Sequence, residues 1–169
     1  PWAVDNFTPC TTYDGDGLQT YKIDGSTFTN QQYTGSAIVF QNDFDDNPGF
    51  TAHSGNAFGC FMDAIPKTNV LSNNDWFILP EMTIKNGDTF SFWARSYTDA
   101  YGLERFKVGV YGSTDGTFAS YLDGSATTYV EAPTKWTEYR YDLSAYTDQS
   151  IRLAINCVSK DAFAFFIDD

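Results

Sequence analysis

Two acidic residues near the start of the chain have the spacing of a cation-binding loop. Asp14-Gly-Asp16-Gly17 places carboxylates at alternate positions beside glycines, and such a turn can direct both carboxylates at one calcium ion. An EF-hand would also need a bidentate glutamate at the twelfth position of the loop, where Gly25 stands. Two interpretations stay open, a calcium site and a plain Asp-Gly turn, and turn chemistry favours the second.

Further acids lie in a second loop and at the end of the last apolar run. A crowded acidic cluster is formed by Asp43, Asp45 and Asp46. Their carboxylates repel one another unless solvent or a cation screens the charge, and a solvated loop is the favoured interpretation. Asp168 and Asp169 follow an apolar run. If they face inward they need a partner, and calcium is a natural one in an acidic domain.

Signals for catalysis are weak. His53 is the only histidine, so a zinc site with two histidines is excluded, and no nucleophile elbow accompanies it. Paired carboxylates for glycoside hydrolysis stay open, because the chain has 22 acidic residues from which a pair might form. The sequence therefore predicts a protein that is not an enzyme, with a small glycoside hydrolase or lyase as the alternative.

Aromatic side chains are abundant, with 15 Phe, 11 Tyr and 4 Trp. Most of them are expected in the core. Exposed tyrosine or tryptophan rings can stack on the apolar C–H faces of sugars, and the candidates for such a role are Tyr97, Tyr101 and Trp76. Trp76 lies in an apolar run, which favours a core position for it.

Composition and charge restrict the class of protein. The length of 169 residues fits one domain covering residues 1–169, and the net charge of −12 repels nucleic acid and anionic lipid. No apolar run has the length of a membrane span, so membrane insertion is not expected. Cys10, Cys60 and Cys157 allow at most one internal disulfide, and the latter two are interpreted as small buried apolar residues.

Alternating apolar residues predict strands at 89–95, Arg105–Tyr111, 151–157 and 163–167, each with one face buried. Turn sequences such as Lys85-Asn-Gly-Asp88 separate them. Residues 8–56 have few clean strands and are interpreted mostly as long ordered loops, with a short strand expected at 36–40. Two more short strands are expected at 57–62 and 76–79. The fold class predicted is an all-β antiparallel sandwich.

Eight short motifs follow one another along nearly the whole chain. They are Tyr13-Asp-Gly-Asp-Gly17, Ala52-His-Ser-Gly-Asn-Ala57, Asn74-Asp-Trp-Phe-Ile-Leu-Pro80, Gly87-Asp-Thr-Phe-Ser-Phe-Trp-Ala94, Phe106-Lys-Val-Gly-Val-Tyr-Gly-Ser-Thr-Asp-Gly116, Trp136-Thr-Glu-Tyr-Arg-Tyr-Asp-Leu-Ser-Ala-Tyr146, Ile151-Arg-Leu-Ala-Ile155 and Phe165-Phe-Ile-Asp-Asp169. Their order and spacing resemble the cleaved-adhesin family, which forms the adhesin modules of gingipains and haemagglutinins, and the related choice-of-anchor J domains of Bacteroidetes surface proteins.

This resemblance implies a jelly-roll sandwich, similar to MAM and galactose-binding-like domains, with structural calcium. Carried over by position, the calcium ligands would be the side chains of Asn6, Asn56 and Asp168 and the carbonyl of Ser54. Relatives often have an acid directly after the phenylalanine of the first strand, where this chain has Thr8. That departure leaves Asp5 or Asn6 as the ligand from the first strand.

The resemblance also implies a role without catalysis. The expected protein is a secreted or cell-surface adhesion module, monomeric within a larger bacterial protein, whose partner is a glycan or a host matrix protein. The alternative is a carbohydrate-binding module attached to a polysaccharide-degrading enzyme.

Overall fold

The computed structural model describes residues 7–28, 30–42, 47–122 and 128–169. Asp5, Asn6 and the cluster Asp43, Asp45 and Asp46 lie outside these ranges. Within them the chain forms a 3-10 helix at Ser144–Tyr146 and the following strands: β1 (Thr11–Asp14), β2 (Ile38–Gln41), β3 (Ala57–Met62), β4 (Asp75–Ile78), β5 (Met82–Thr83), β6 (Thr89–Ser96), β7 (Arg105–Tyr111), β8 (Phe118–Tyr121), β9 (Val130–Glu131), β10 (Thr137–Asp142), β11 (Ser150–Ile151), β12 (Leu153–Cys157) and β13 (Ala164–Asp168). None of the described residues belongs to a helix with the length and apolarity to cross a membrane.

The strands form two large antiparallel sheets. One has the order β1-β4-β12-β7-β8, with β9 also paired to β7, and the other has the order β10-β6-β13-β3-β2. Strands distant in sequence are neighbours in both sheets, as when β13 lies between β3 and β6. Such long-range antiparallel pairing is the pattern of a jelly-roll sandwich, which confirms the predicted all-β fold.

Alternate residues of the facing strands fill the space between the sheets. Phe92 and Ala94 of β6 meet Phe106 and Val108 of β7 in one buried cluster. The ring of Phe165 stacks on that of Phe106, with centroids 5.2 Å apart. Burying each such ring stabilises the fold by about 1.5–3 kcal/mol. The inward faces of β6 and β7 are the faces that their alternation predicts.

A second cluster covers the outer face of the five-stranded sheet, and it corrects one expectation. Ala164 and Phe166 of β13 lie on this face beside Phe58 of β3 and Phe40 of β2, and Phe50 from a loop packs against Phe40, Phe58 and Phe166. The strand predicted at 163–167 is therefore buried on both faces. The run predicted at 151–157 differs in the same way, because every residue of β12 is buried. Loop residues from the first half of the chain supply much of this outer layer.

Candidate functional site

The register of two strands brings three aspartates together at one edge of the six-stranded sheet. Asp14 ends β1 and pairs across the sheet with Asp75, the first residue of β4. Asp16 follows in the turn after β1. One carboxylate oxygen from each of these residues lies within 4.8 Å of the other two. We call Asp14, Asp16 and Asp75 the aspartate centre.

Backbone amides organise the two aspartates of the turn. Asp14 Oδ1 accepts hydrogen bonds from the N–H groups of Asp16, at 3.0 Å, and Gly17, at 2.7 Å. Asp16 Oδ1 accepts from the N–H of Leu18 at 2.7 Å, and its Oδ2 accepts from the N–H of Asn74 at 2.6 Å. The second bond ties the turn to the residues that precede β4, so the loop has one defined geometry.

Asp75 is the buried member of the aspartate centre, with 3% of its surface exposed. Its Oδ2 accepts a 2.7 Å hydrogen bond from the side-chain amide of Asn73, whereas its buried Oδ1 has no hydrogen-bond partner. Burial raises the pKa of Asp75 well above its usual value, and the neighbouring charge of Asp16 raises it further. A buried carboxylate oxygen without a donor is costly unless a proton or a cation satisfies it.

The predicted calcium ligands Ser54 and Asp168 also lie together. Asp168 Oδ2 accepts hydrogen bonds from the N–H groups of His53, at 2.8 Å, and Ser54, at 3.1 Å. Asp168 Oδ1 accepts from the N–H of Asp169 at 3.0 Å. Backbone amides thus already occupy positions on both oxygens of Asp168. Asn56 is exposed in the same loop, and the calcium site at this rim stays a prediction.

His53 is a structural residue of this rim. Its ring stacks on the indole of Trp93, with centroids 3.7 Å apart, and its Nδ1 lies 2.7 Å from Asp169 Oδ2. Ser54 Oγ donates to the other oxygen of Asp169 at 2.6 Å. The serine hydroxyl is therefore bonded to the acid and not to the histidine, so these residues do not form a nucleophile–base pair.

Two of the three predicted sugar-stacking residues pack against other rings of the protein, Trp76 as a buried residue and Tyr97 as a half-buried one. Trp76 is 2% exposed, and its ring contacts those of Tyr111 and Phe118, so no ligand can stack on it. Tyr97 packs against Phe50 at a centroid distance of 5.0 Å. Trp76 therefore has the core position that its apolar run favours and is no longer a candidate for sugar stacking, and Tyr97 is mainly a packing residue.

Tyr101 is in contrast 69% exposed, and it lines a surface pocket of about 290 Å³. We call this the Tyr101 pocket. Its wall combines aromatic rings with charged and hydrogen-bonding groups, and it consists of Tyr21, Lys22, Asp24, Tyr101, Asp161, Ala162 and Phe163. The hydroxyl of Tyr21 donates to Asp161 Oδ1 at 3.0 Å. Exposed rings beside a few fixed polar groups are the chemistry of a small-ligand site.

Two buried acids support the wall of the Tyr101 pocket from below. Asp63 accepts a hydrogen bond from the N–H of Ala162, and Glu104 accepts one from that of Phe163. Asp63 and Glu104 are each 1% exposed. Burial raises the pKa of Asp63 to about 8, with a further contribution from the charge of Glu104. Neither carboxyl reaches the surface, so neither can contact a substrate in the pocket.

A larger cavity of about 550 Å³ opens between the sheets. Its wall consists mainly of apolar side chains, among them Phe58, Phe77 and Phe90. Phe7, which directly follows the undescribed residues 1–6, also forms part of the wall. The acids in this lining, Asp168 and Asp169, are already bonded to His53 and Ser54. The wall has no exposed ring like that of Tyr101 among its described residues, so the Tyr101 pocket is the better candidate for a carbohydrate.

Sequence reasoning missed Asp75, Tyr21 and Asp161. Asp75 stands in an apolar stretch 61 positions from Asp14, and only the pairing of β1 with β4 brings the two together. Tyr21 and Asp161 meet across 140 positions of sequence. The one available signal was that Asp75 stands at the start of an apolar run. An acid buried at such a position needs a hydrogen-bond or cation partner.

Comparison with known proteins gives a fold but no sequence relative. No protein-family model matches the chain, and no curated protein is detectably similar to it. Among solved structures, the K1 cleaved adhesin domain of Lys-gingipain from Porphyromonas gingivalis W83 aligns with a TM-score of 0.63 at 16% identity, covering 98% of this chain and 89% of that one.

Two further structures have the same architecture. The K3 cleaved adhesin domain of Lys-gingipain from the same organism aligns with a TM-score of 0.56 at 16% identity over 96% of this chain and 89% of that one. TmCBM61 in complex with β-1,4-galactotriose aligns with a TM-score of 0.55 at 15% identity over 98% of this chain and 88% of that one. The chain therefore has the β-sandwich fold of the cleaved adhesin domains, which confirms the fold that its sequence motifs imply.

Proposed function

We propose that the protein is a non-catalytic extracellular binding module whose ligand is a carbohydrate held at the Tyr101 pocket. The observation that carries the proposal is the exposure of the Tyr101 ring beside the hydrogen-bonded pair of Tyr21 and Asp161. A sugar presents apolar C–H faces and hydroxyl groups, so it needs a ring to stack on and polar groups that fix its orientation.

The fold supports this proposal at the level of class. The chain shares its architecture with adhesin domains and with TmCBM61, which was solved with a β-1,4-galactotriose. A secreted or surface location fits the net charge of −12, which keeps a domain soluble and disfavours contact with anionic polymers. We include a structural calcium at the Ser54 and Asp168 rim in the proposal.

The absence of catalysis is part of the proposal. The acids beneath the pocket, Asp63 and Glu104, are buried and bonded to backbone amides. Asp24 and Asp161 in the wall are the acids that remain for chemistry there. If the protein were a glycoside hydrolase, a panel of polysaccharides would be cleaved in the presence of the wild-type chain and spared by its Asp161→Asn variant.

A glycan array tests the binding function directly. We expect a coherent preference for one sugar class, with β-1,4-galacto-oligosaccharides as the first probe for titration. Tyr101→Ala should weaken binding by about tenfold or more, since loss of about 1.4 kcal/mol lowers affinity by that factor. Tyr129→Ala is the matched control, because Tyr129 is also exposed, at 44%, but does not line the pocket.

Two results would contradict this proposal. An array without any coherent sugar preference would favour the adhesin alternative, in which the partner is a host matrix protein. Equal affinities for Tyr101→Ala and Tyr129→Ala would leave carbohydrate binding intact but would remove the Tyr101 pocket as its site.

A further inference from the structure

We infer that the aspartate centre binds one calcium ion, which joins the turn after β1 to the start of β4. The inference is independent of carbohydrate binding, because none of the three aspartates lines the Tyr101 pocket. It assigns Asp75 as a ligand beside Asp14 and Asp16. The ion would be bound by oxygen atoms from two segments that are remote in sequence.

The first argument is the number and proximity of the carboxylates. Three ligand oxygens lie within 4.8 Å of one another, a separation at which a single cation can bridge them. Among the described residues, the ion pairs involve other acids, namely Asp24, Glu131, Glu138 and Asp169. No lysine or arginine among the described residues therefore forms an ion pair with the aspartate centre. The negative charge of the aspartate centre needs another cation to balance it.

The second argument is the unsatisfied oxygen of Asp75. Asp75 is 3% exposed, and its Oδ1 has no hydrogen-bond partner, whereas its Oδ2 accepts from the side-chain amide of Asn73 at 2.7 Å. The hydroxyl of Tyr33 is also buried without a partner. Burial raises the pKa of Tyr33, and the charge of Asp75 raises it further. An oriented, desolvated carboxylate beside two others has the character of a ligand, since calcium takes carboxylate oxygens at about 2.3–2.6 Å.

The third argument is the preorganisation of the ligands. Backbone amides fix the carboxylates of Asp14 and Asp16 without using all of their lone pairs. Asn74 is fixed as well, because its Oδ1 accepts hydrogen bonds from Trp76 Nε1 at 2.9 Å and from the side-chain amide of Asn156 at 3.3 Å. Calcium tolerates the irregular geometry of such a site better than magnesium, which demands a near-ideal octahedron.

The test measures calcium binding and thermal stability on the full chain. Isothermal titration with calcium chloride should give one fewer bound ion for Asp75→Asn than for the wild type. Saturating calcium should raise the melting temperature of the wild type by about 5–10 °C over the value in chelator, and magnesium should raise it less. Asp99→Asn is the matched control, because it removes one exposed aspartate charge outside the aspartate centre.

The chelated state gives a second readout that does not depend on the number of ions. In chelator, Asp75→Asn should melt at or above the temperature of the wild type, because a buried charge has been removed. If Asp75→Asn does not fold, Asp14→Asn serves instead, since its amide oxygen can still accept from Asp16 and Gly17. An unchanged number of bound ions in the folded variants would overturn the inference. So would a wild-type melting curve that is the same in calcium and in chelator.

Discussion

Glu104 Oε1 accepts a 2.7 Å hydrogen bond from the backbone N–H of Phe163, although 59 positions of sequence separate the two residues. The preceding amide of the chain, that of Ala162, donates to Asp63. Two buried carboxyls therefore hold the segment that forms one wall of the Tyr101 pocket. The shape of this pocket depends on acids that the ligand never contacts.

The first prediction concerns the pH dependence of stability. The pKa of Asp63 is raised to about 8, so the folded state binds a proton that the unfolded state releases above about pH 4. Stability from this group is fully present below pH 4 and is lost as pH rises through 8. The loss is on the order of 5 kcal/mol at most. Denaturant titrations between pH 5 and 8.5 should show a declining free energy of unfolding.

The variant Asp63→Asn identifies the group responsible. Its amide oxygen can still accept from the N–H of Ala162, but it cannot titrate, so the decline between pH 5 and 8.5 should become shallower. The part that remains belongs to Asp75 and Glu104, because burial raises the pKa of both. Asp24→Asn, an exposed aspartate of the same pocket, is the control and should keep the wild-type slope. A wild-type profile that rises over this range would contradict the assignment.

The second prediction tests the outer layer. Phe50 is fully buried and contacts the rings of Phe40, Tyr97 and Phe166. Phe50→Ala should lower the free energy of unfolding by about 3–5 kcal/mol, because it leaves a cavity in a packed cluster. Leu71→Ala, at an exposed position of 49%, should change it by less than about 0.5 kcal/mol. Chemical denaturation of the two variants makes the comparison, and similar losses would contradict the assignment of Phe50 to a core.

The third prediction concerns the thiols. Cys60 and Cys157 are 0% and 1% exposed, and burial raises the pKa of both well above its usual value. Cys10 is partly exposed. A thiol reagent at neutral pH should therefore modify Cys10 alone in the folded protein and all three after unfolding, because the thiolate is the reactive form. Mass spectrometry counts the modified thiols, and rapid labelling of Cys60 in the native state would be inconsistent with the core.

The fourth prediction addresses the calcium proposed at the rim. If an ion binds beside Ser54 and Asp168, Asp168→Asn should lose one bound calcium while Asp75→Asn loses a different one, and the double variant should lose both. Calcium titrations of the three variants distinguish the two sites. If Asp168→Asn binds as much calcium as the wild type, the Asp168 carboxylate is not a calcium ligand. Its role would then be to accept hydrogen bonds from the N–H groups of His53 and Ser54.

The sandwich could be predicted from the sequence because the alternation of apolar and polar residues within each strand is a local pattern. Alternation in β6 and β7 has period two, so the inward positions of Phe92 and Phe106 follow from the sequence alone. The same rule failed for β13, since it cannot report that the loop residue Phe50 packs on the second face of the strand, against Phe166.

The site residues were harder to predict because they meet through strand order. Asp14 and Asp16 carry a recognisable spacing, but Asp75 joins them through a pairing that no local signal encodes. The burial of Trp76 follows from its apolar run, whereas the exposure of Tyr101 has no such local signal. Residue types thus predicted the kinds of site, one for calcium and one for a sugar. The strand topology determines which side chains lie close enough together, or are exposed enough, to form them.

The covering of β13 and β3 by the first half of the chain has a consequence for proteolysis. A cut in the loop before β3 followed by loss of the amino-terminal half would bare Phe58, Phe166 and Met62, which now form a continuous buried cluster with Cys60. An apolar surface of that kind drives self-association. Trimming from this end would therefore not yield a smaller working module; it would yield a species prone to precipitation.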